Sequence, residues 1–151
     1  MRIEVVHDFD APLESVLAWV CDLSVFPQWT RVLHRVEEEP SPVDSPRAWQ
    51  VELRGKIGPF ARSKRLRMVQ VPTSEPGHLR FERRELDGVD HGVWRLDVRV
   101  HQVHPSARCD LSAVFEYEGR LWSGAIERLL RDEIDSSKRR LTDLVTGSTR
   151  L

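Results

Sequence analysis

Cysteine is scarce in this chain, and its two copies, Cys21 and Cys109, lie far apart without a CxxC spacing. A zinc knuckle or a disulfide framework needs cysteines at short, regular spacings, so neither is expected. Two isolated thiols are most simply interpreted as small buried side chains. The cysteines therefore indicate neither a metal site nor a cross-linked fold.

Long hydrophobic runs and a strong net charge are also missing. No stretch reaches the roughly 18 apolar residues of a membrane-spanning helix, and no signal-peptide core follows the first six residues. With 40% hydrophobic residues, 31% charged residues and a net charge of -1, the composition is that of an ordinary folded protein and favours no nucleic-acid partner. We expect a cytoplasmic single domain over residues 1–151, without a transmembrane segment or a DNA partner, as a monomer or a homodimer.

The usual catalytic motifs are absent as well. GxSxG, Walker-type GKS or GKT, and GxGxxG do not occur, and the six histidines form no HxxxH or HExxH pattern. Hydrolase, nucleotide-binding and metal chemistry therefore have no sequence signal, and we expect no cofactor. This does not exclude an enzyme whose catalysis depends on shape and one or two polar groups.

The chain begins with a strand and two short helical segments. Residues 2–9 alternate in polarity like a half-buried strand. Asp10 can then cap a helix whose buried stripe covers residues 13–22, and Asp22 can cap a second helical turn over 24–28.

A series of strands and one long helix follow. Their connections are short, which favours antiparallel neighbours. The C-terminal helix is predicted from apolar residues at helical spacing, namely Trp122, Ile126, Leu129, Leu130, Ile134, Leu141 and Leu144. The predicted ranges are 32–37, 49–53 ending at Gly55, 60–71, 78–84, 92–103 and 107–118 for the strands, and 121–146 for the helix.

This order of elements resembles the START and Bet v 1-like (SRPBCC) superfamily, in its polyketide cyclase/dehydrase and lipid-transport-like branch. The specific part of the resemblance is DAPLESVLAWVCDLSVFPQWTRVLHRVEE, with an Ala-Pro helix start, an Asp, and then an aromatic-Pro-x-Trp turn. It implies an α+β helix-grip fold, in which a curved antiparallel sheet of about six to seven strands wraps around a long C-terminal α-helix. The two short helices would close one end of the sheet, with Phe26 and Trp29 as its plug and Pro27 at the start or bend of the turn.

The resemblance also implies a cavity between sheet and helix that holds a small hydrophobic or amphipathic molecule, lipid or polyketide-like. Alternation along the strands predicts which side chains face it. Trp29 is expected to be structural first and a ligand contact second. The candidate ligand-binding residues are Trp29, Trp49, Val51, Leu53, Leu66, Met68, Leu79, Phe81, Trp94, Leu96, Val98, Leu111, Ala113, Phe115, Ile126 and Leu129.

The register of strand 60–71 decides where its basic residues point. Leu66 and Met68 favour an inward set that leaves Arg65 and Arg67 outside, whereas a bulge near Gly58 and Pro59 would turn one arginine inward. Arg83 has the parity of inward residues, so it can approach the cavity rim and stack on Trp94. A solvated arginine at a strand end, paired with Glu82 or Glu85, is the more common arrangement.

Two other functions stay open. Cyclases of the superfamily would imply a pocket arginine with a tyrosine or histidine; here Arg65 or Arg67 would orient a carbonyl, and Tyr117 or a histidine would act as the acid. The second strand has Leu33 where that pattern places a tyrosine. An interaction module of the ribosome- or quinone-associated kind would instead use the basic residues at 54–67, unless Glu37, Glu38 and Glu39 balance them.

Overall fold

Seven antiparallel strands form one curved sheet in the order β1-β7-β6-β5-β4-β3-β2. The computed structural model describes residues 1–57, 59–103, 107–119 and 123–147. The strands are β1 (Arg2–Phe9), β2 (Leu33–Glu38), β3 (Ala48–Ile57), β4 (Phe60–Val71), β5 (His78–Arg83), β6 (Trp94–Val103) and β7 (Arg108–Tyr117). The helices are α1 (Leu13–Val20), a 3-10 helix (Leu23–Gln28) and α2 (Ser123–Gly147).

The first and last strands lie side by side in the sheet, because β1 pairs with β7 rather than with β2. Ile3 lies opposite Phe115, and His7 lies opposite Leu111. From β2 to β7 each strand pairs with its sequence neighbours, and β1 and β2 form the two edges of the sheet. The helix-grip fold expected from the resemblance is confirmed, and α2 covers the concave face.

The start of α1 differs from the prediction. Pro12 occupies the N-cap position, and no side chain caps the helix. Asp10 instead lies 3.5 Å from Arg108 on β7, so its carboxylate is drawn to a cation from another strand rather than to the helix. Asp22 does act as predicted, since its Oδ1 accepts a hydrogen bond from Ser24 N at 2.9 Å.

The Phe-Pro-Gln-Trp turn is stabilised by ring packing and one hydrogen bond. Pro27 lies in the last turn of the 3-10 helix, not in a first turn. The rings of Phe26 and Trp29 are 4.6 Å apart, and Trp29 Nε1 donates to the carbonyl of Trp19 at 3.0 Å. The bond ties the end of this turn back to α1.

Two buried clusters lie toward opposite ends of α2. One surrounds Phe9, Cys109 and Val145, and the other surrounds Trp49, Phe81 and Ile126, among others. Cys109 is buried as predicted, whereas Cys21 is only half-buried. Within the described part of the chain, no helix has the length and apolar character needed to cross a membrane.

Candidate functional site

A cavity of about 250 Å³ separates the concave face of the sheet from α2. Its wall is almost entirely apolar and comes from β1, β3, β4, β6, β7, α2 and the segment around the 3-10 helix. Apolar side chains reach it from the sheet because alternate residues of each strand point to the same face. The cavity thus lies where a helix-grip fold has room between its layers.

Most of the residues predicted to contact a ligand lie in this wall. The sheet supplies them from four strands, α2 supplies two, and Trp29 closes the end near the 3-10 helix. They are Trp29, Val51, Leu53, Leu66, Met68, Trp94, Leu96, Val98, Leu111, Ala113, Phe115, Ile126 and Leu129.

Trp49, Leu79 and Phe81 are not part of the wall, although alternation places them on the same face. Trp49 and Phe81 are both 0% exposed, with ring centroids 5.6 Å apart. Trp49 Nε1 donates to Ser24 Oγ of the 3-10 helix at 3.2 Å. The 3-10 helix covers this part of the sheet, so solid packing takes the place of a cavity there.

The sequence reasoning missed the contributions of β1 and of the middle of α2. Ile3, Val5 and His7 line the cavity from β1, and their alternate spacing was a usable signal. On α2, Glu133 and Ser137 lie on the same stripe as the apolar residues, but their polarity kept them out of a pattern built from hydrophobic residues.

Gly55 on β3 was predicted only as the end of a strand. A β-carbon at this position would lie 2.6 Å from Cδ2 of Leu129 on α2, closer than real β-carbons approach other atoms. Both residues line the cavity. The missing side chain therefore lets Leu129 pack directly over β3.

One end of the cavity carries polar groups that bond to one another. Ser137 Oγ donates to Thr30 Oγ1 at 3.1 Å, and a 2.7 Å hydrogen bond joins His7 Nε2 to Thr142 Oγ1. Burial and the charge of Lys138 lower the pKa of His7, with Asp8 acting in the opposite direction. The imidazole is therefore held toward its neutral form.

The other end of the cavity contains a buried donor without an acceptor and, among the described residues, a cation without a carboxylate in contact. Trp94 is 3% exposed, and its indole Nε1 is buried without a hydrogen-bond partner. The Lys64 ammonium lies 5.5 Å from the Trp94 ring centroid. Burial and the charge of Arg83 lower the pKa of Lys64, which indicates a cation that its surroundings do not neutralise.

Arg83 pairs with Glu85, one of the two partners predicted for it, and Lys64 rather than Arg83 lies over the Trp94 ring. The Arg83 side chain is 9% exposed, and its Nε donates to Glu85 Oε1 at 3.0 Å. Tyr117 packs edge-on against Trp94, with ring centroids 4.5 Å apart.

Arg65 and Arg67 lie on the convex side of β4. The β3–β4 ladder runs in unbroken register from Ala48 opposite Val69 to Ile57 opposite Phe60, which places Leu66 and Met68 in the cavity wall. The register predicted for this strand is therefore confirmed; Gly58, where a bulge was considered, lies outside the described residues.

The glutamates of the second strand and its end balance much of the neighbouring basic charge. Arg67 Nε lies 2.9 Å from Glu39 Oε2, and Arg47 Nε lies 2.6 Å from Glu38 Oε1. In the described residues, no cluster of His, Cys, Asp and Glu has the makings of a metal site.

The geometry defines a helix-grip protein: a curved antiparallel sheet, a C-terminal helix across it and an apolar cavity between them. Similar solved structures agree. Human StAR-related lipid transfer protein 5 matches with a TM-score of 0.78 at 10% identity, covering 99% of this chain and 77% of that chain. A START superfamily protein from Mycobacterium smegmatis matches with a TM-score of 0.69 at 13% identity, covering 97% and 98%.

A third similar structure is the di-domain ARO/CYC StfQ of the steffimycin biosynthetic pathway. Its TM-score is 0.62 at 15% identity, and the match covers 93% of this chain and 44% of that chain. A scan against protein-family models finds no match, and a search of the curated proteins finds no related sequence. The chain therefore has the START-like (SRPBCC) fold, as its sequence predicted, and at these identities the likeness extends to the fold alone.

Proposed function

We propose that this protein is a single helix-grip domain that binds a small hydrophobic or amphipathic molecule between the sheet and α2. The observation that carries the proposal is the apolar cavity of about 250 Å³. Small-molecule sites commonly measure roughly 300–1,000 Å³, so this cavity lies just below that range and fits a small ligand. Burial of its apolar surface supplies the affinity.

Lipid-like and polyketide-like molecules are the ligand classes that we favour. The similar structures include a lipid transfer protein and an ARO/CYC protein. These names describe those two proteins and not this chain. What supports the same classes here is the wall itself, where apolar side chains such as Leu96, Val98 and Leu111 predominate.

The cyclase hypothesis receives less support. It named Arg65 or Arg67 as the residue that orients a carbonyl, and both lie on the convex face, across the sheet from the cavity. The interaction-module hypothesis needs one continuous basic surface. Lys64 belongs to the cavity wall, and Arg67 is paired with Glu39, so the basic residues are divided between two faces.

A cavity-filling variant tests the proposal. Ala113 lines the cavity on β7, opposite Val5 and Val98, so Ala113→Leu places additional methyl groups inside. We expect a fluorescent apolar probe, and any co-purified molecule seen by native mass spectrometry, to bind the wild type and to be lost from this variant.

The matched control is Val114→Leu, which enlarges the next residue of β7 on the opposite face. It should retain probe binding, because its side chain points away from the cavity. Equal probe binding by wild type, Ala113→Leu and Val114→Leu would show that the ligand does not occupy this cavity, and no binding to the wild type would refute the proposal outright.

A further inference from the structure

The two ends of the cavity are lined by different polar residues. Trp94 pairs with Tyr117 across β6 and β7, whereas His7 pairs with Leu111 of the same β7. At about 3.4 Å per residue, these positions on β7 are roughly 20 Å apart. An elongated ligand would therefore meet Lys64 and Trp94 at one end and the group around His7 at the other.

The end near Lys64 has a buried polar group without a partner. The indole Nε1 of Trp94 is buried and lacks an acceptor, although buried polar groups are normally hydrogen-bonded. Among the described residues, no Asp or Glu lies within 4.0 Å of Lys64 Nζ, and Arg83 adds a second positive charge nearby. Arg83 is paired with Glu85, but Trp94 Nε1 has no acceptor and Lys64 has no carboxylate in contact within the described part of the chain.

The end near His7 contains a carboxylate with a cation beside it: Glu133 Oε2 and Arg140 Nη1 are both buried without a hydrogen-bond partner, but their opposite charges lie 3.7 Å apart. The hydroxyl groups at this end bond to each other, as in the contact between Ser137 and Thr30. Lys138 borders this end too, and Glu133 also lines the cavity. The cations at this end therefore face an acid, and an incoming anion would be repelled by Glu133.

We infer that the end of the cavity formed by Lys64 and Trp94 binds the carboxylate of an amphipathic acid whose apolar part occupies the remaining space. A carboxylate has two oxygens for two donors, the ammonium of Lys64 and the indole N–H of Trp94. Its single negative charge matches the ammonium, and hydrogen bonds between charged groups are stronger than neutral ones. This inference rests on the proposed function and specifies the class of ligand that the cavity binds.

The structure of the sheet explains why these two residues meet. β5 pairs with β4 only from Met68 to Val71, so β4 continues toward Phe60 without β5 beside it. Trp94, at the start of β6, lies beyond the last β5–β6 pair, Glu82 and Arg95. The indole and the Lys64 side chain therefore approach each other across the space that β5 leaves open.

Paired ligands test the inference. Decanoic acid and decanol share an apolar chain and differ in the head group, and octanoic and dodecanoic acid vary the length. With wild-type protein, calorimetric titration at neutral pH should give an affinity for the acid at least about tenfold higher than for the alcohol.

Substitutions then assign the preference to its residues. Lys64→Met removes the charge but retains an unbranched side chain, so the acid should bind about tenfold more weakly while the alcohol is unaffected. Trp94→Phe retains a ring and removes the N–H, and should weaken acid binding several-fold. Lys64→Arg retains a cation and should preserve the preference, as should Arg65→Met on the convex face of β4.

The outcomes are separable. Equal binding of acid and alcohol to the wild type, or an unchanged preference in Lys64→Met, would overturn the inference and leave the proposed function intact. Binding of neither compound, together with failure of the apolar probe, would refute both. Thermal unfolding of each variant confirms that a lost preference does not come from a lost fold.

Discussion

Gly55 on β3 and Leu129 on α2 are in such close contact that a β-carbon on residue 55 would lie 2.6 Å from Leu129 Cδ2. The sheet and its covering helix thus come into close contact at a residue without a side chain. Because both residues line the cavity, this contact influences the volume that a ligand can use.

Gly55→Ala is expected to reduce ligand affinity while changing stability little. Replacing a glycine within a strand gains about 0.5–1 kcal/mol from reduced chain entropy, and the forced movement of Leu129 offsets that gain. The displaced leucine takes up cavity space. Probe titration and urea unfolding measure the two effects separately.

The double variant Gly55→Ala/Leu129→Ala should recover probe binding, because the side chain that was displaced is gone. Gly124→Ala is the control, since a β-carbon there meets nothing within 4 Å; it should preserve affinity and raise stability by up to about 1 kcal/mol. Recovery that fails in the double variant would contradict the role given to Leu129.

Trp29→Phe tests the hydrogen bond that ends the Phe-Pro-Gln-Trp turn. The phenyl ring can still pack on Phe26, but the 3.0 Å bond from Nε1 to the Trp19 carbonyl is lost. We expect the free energy of unfolding to fall by about 1 to 2 kcal/mol. Trp29→Leu also loses the aromatic contact, so its free energy of unfolding should fall further, by about 3 kcal/mol in total.

Ligand affinity distinguishes the two roles of Trp29. If its role is structural first, Trp29→Phe should lower stability clearly and change probe affinity by no more than a few-fold. A large loss of affinity at unchanged stability would reverse that order of importance.

His7 is expected to make the protein less stable in mild acid. Its folded-state pKa is below 6.5, because burial and Lys138 disfavour the protonated ring. As the pH falls through 6.5, the unfolded chain binds the proton first, so the free energy of unfolding falls until the lower folded pKa is reached. Above pH 6.5 the effect is absent.

His7→Gln should therefore lose less stability than the wild type between about pH 7.5 and about pH 5 in urea unfolding. Glutamine can still reach Thr142, which keeps the neutral hydrogen bond. His101→Gln, at an exposed position of β6, is the control and should retain the wild-type slope. Identical slopes for wild type and His7→Gln would disprove the prediction.

Asp97 forms the centre of an ion-pair group on the convex face of the sheet. Its Oδ1 accepts hydrogen bonds from His78 Nε2 and Arg80 Nε, both at 2.8 Å. Burial alone would raise the pKa of Asp97, but the bonds from Arg80 and His78 outweigh it, and the pKa is lowered. Asp97 thus stabilises the fold above its ordinary pKa of 3.8, and this contribution is lost as the pH falls through the lower folded pKa.

Asp97→Asn should lower the free energy of unfolding at neutral pH by about 1 to 2 kcal/mol, since water screens part of the Arg80 contact. The variant should also lose less of its remaining stability than the wild type on acidification below about pH 4. Asp44→Asn, on the exposed connection before β3, should change neither value. A neutral-pH stability equal to wild type would rule out this role for Asp97.

The sequence determined the order of the elements and the apolar face of the strands. Alternation places Leu66 and Met68 on the same face of β4 regardless of which elements pack against that face, because side-chain direction along a strand follows from backbone geometry. The Phe-Pro-Gln-Trp turn was recognisable for the same reason, since it is built from neighbouring residues.

Contacts between distant segments needed the tertiary structure. Asp10 lies at the sequence position expected for a helix cap, but it pairs with Arg108 of β7. Trp49 alternates in phase with residues that line the cavity, but it packs under the 3-10 helix. The cation over Trp94 is Lys64 rather than Arg83, because β5 ends early and opens a space. Local periodicity fixes which face a side chain takes, but only the packing of separate elements decides what it meets there.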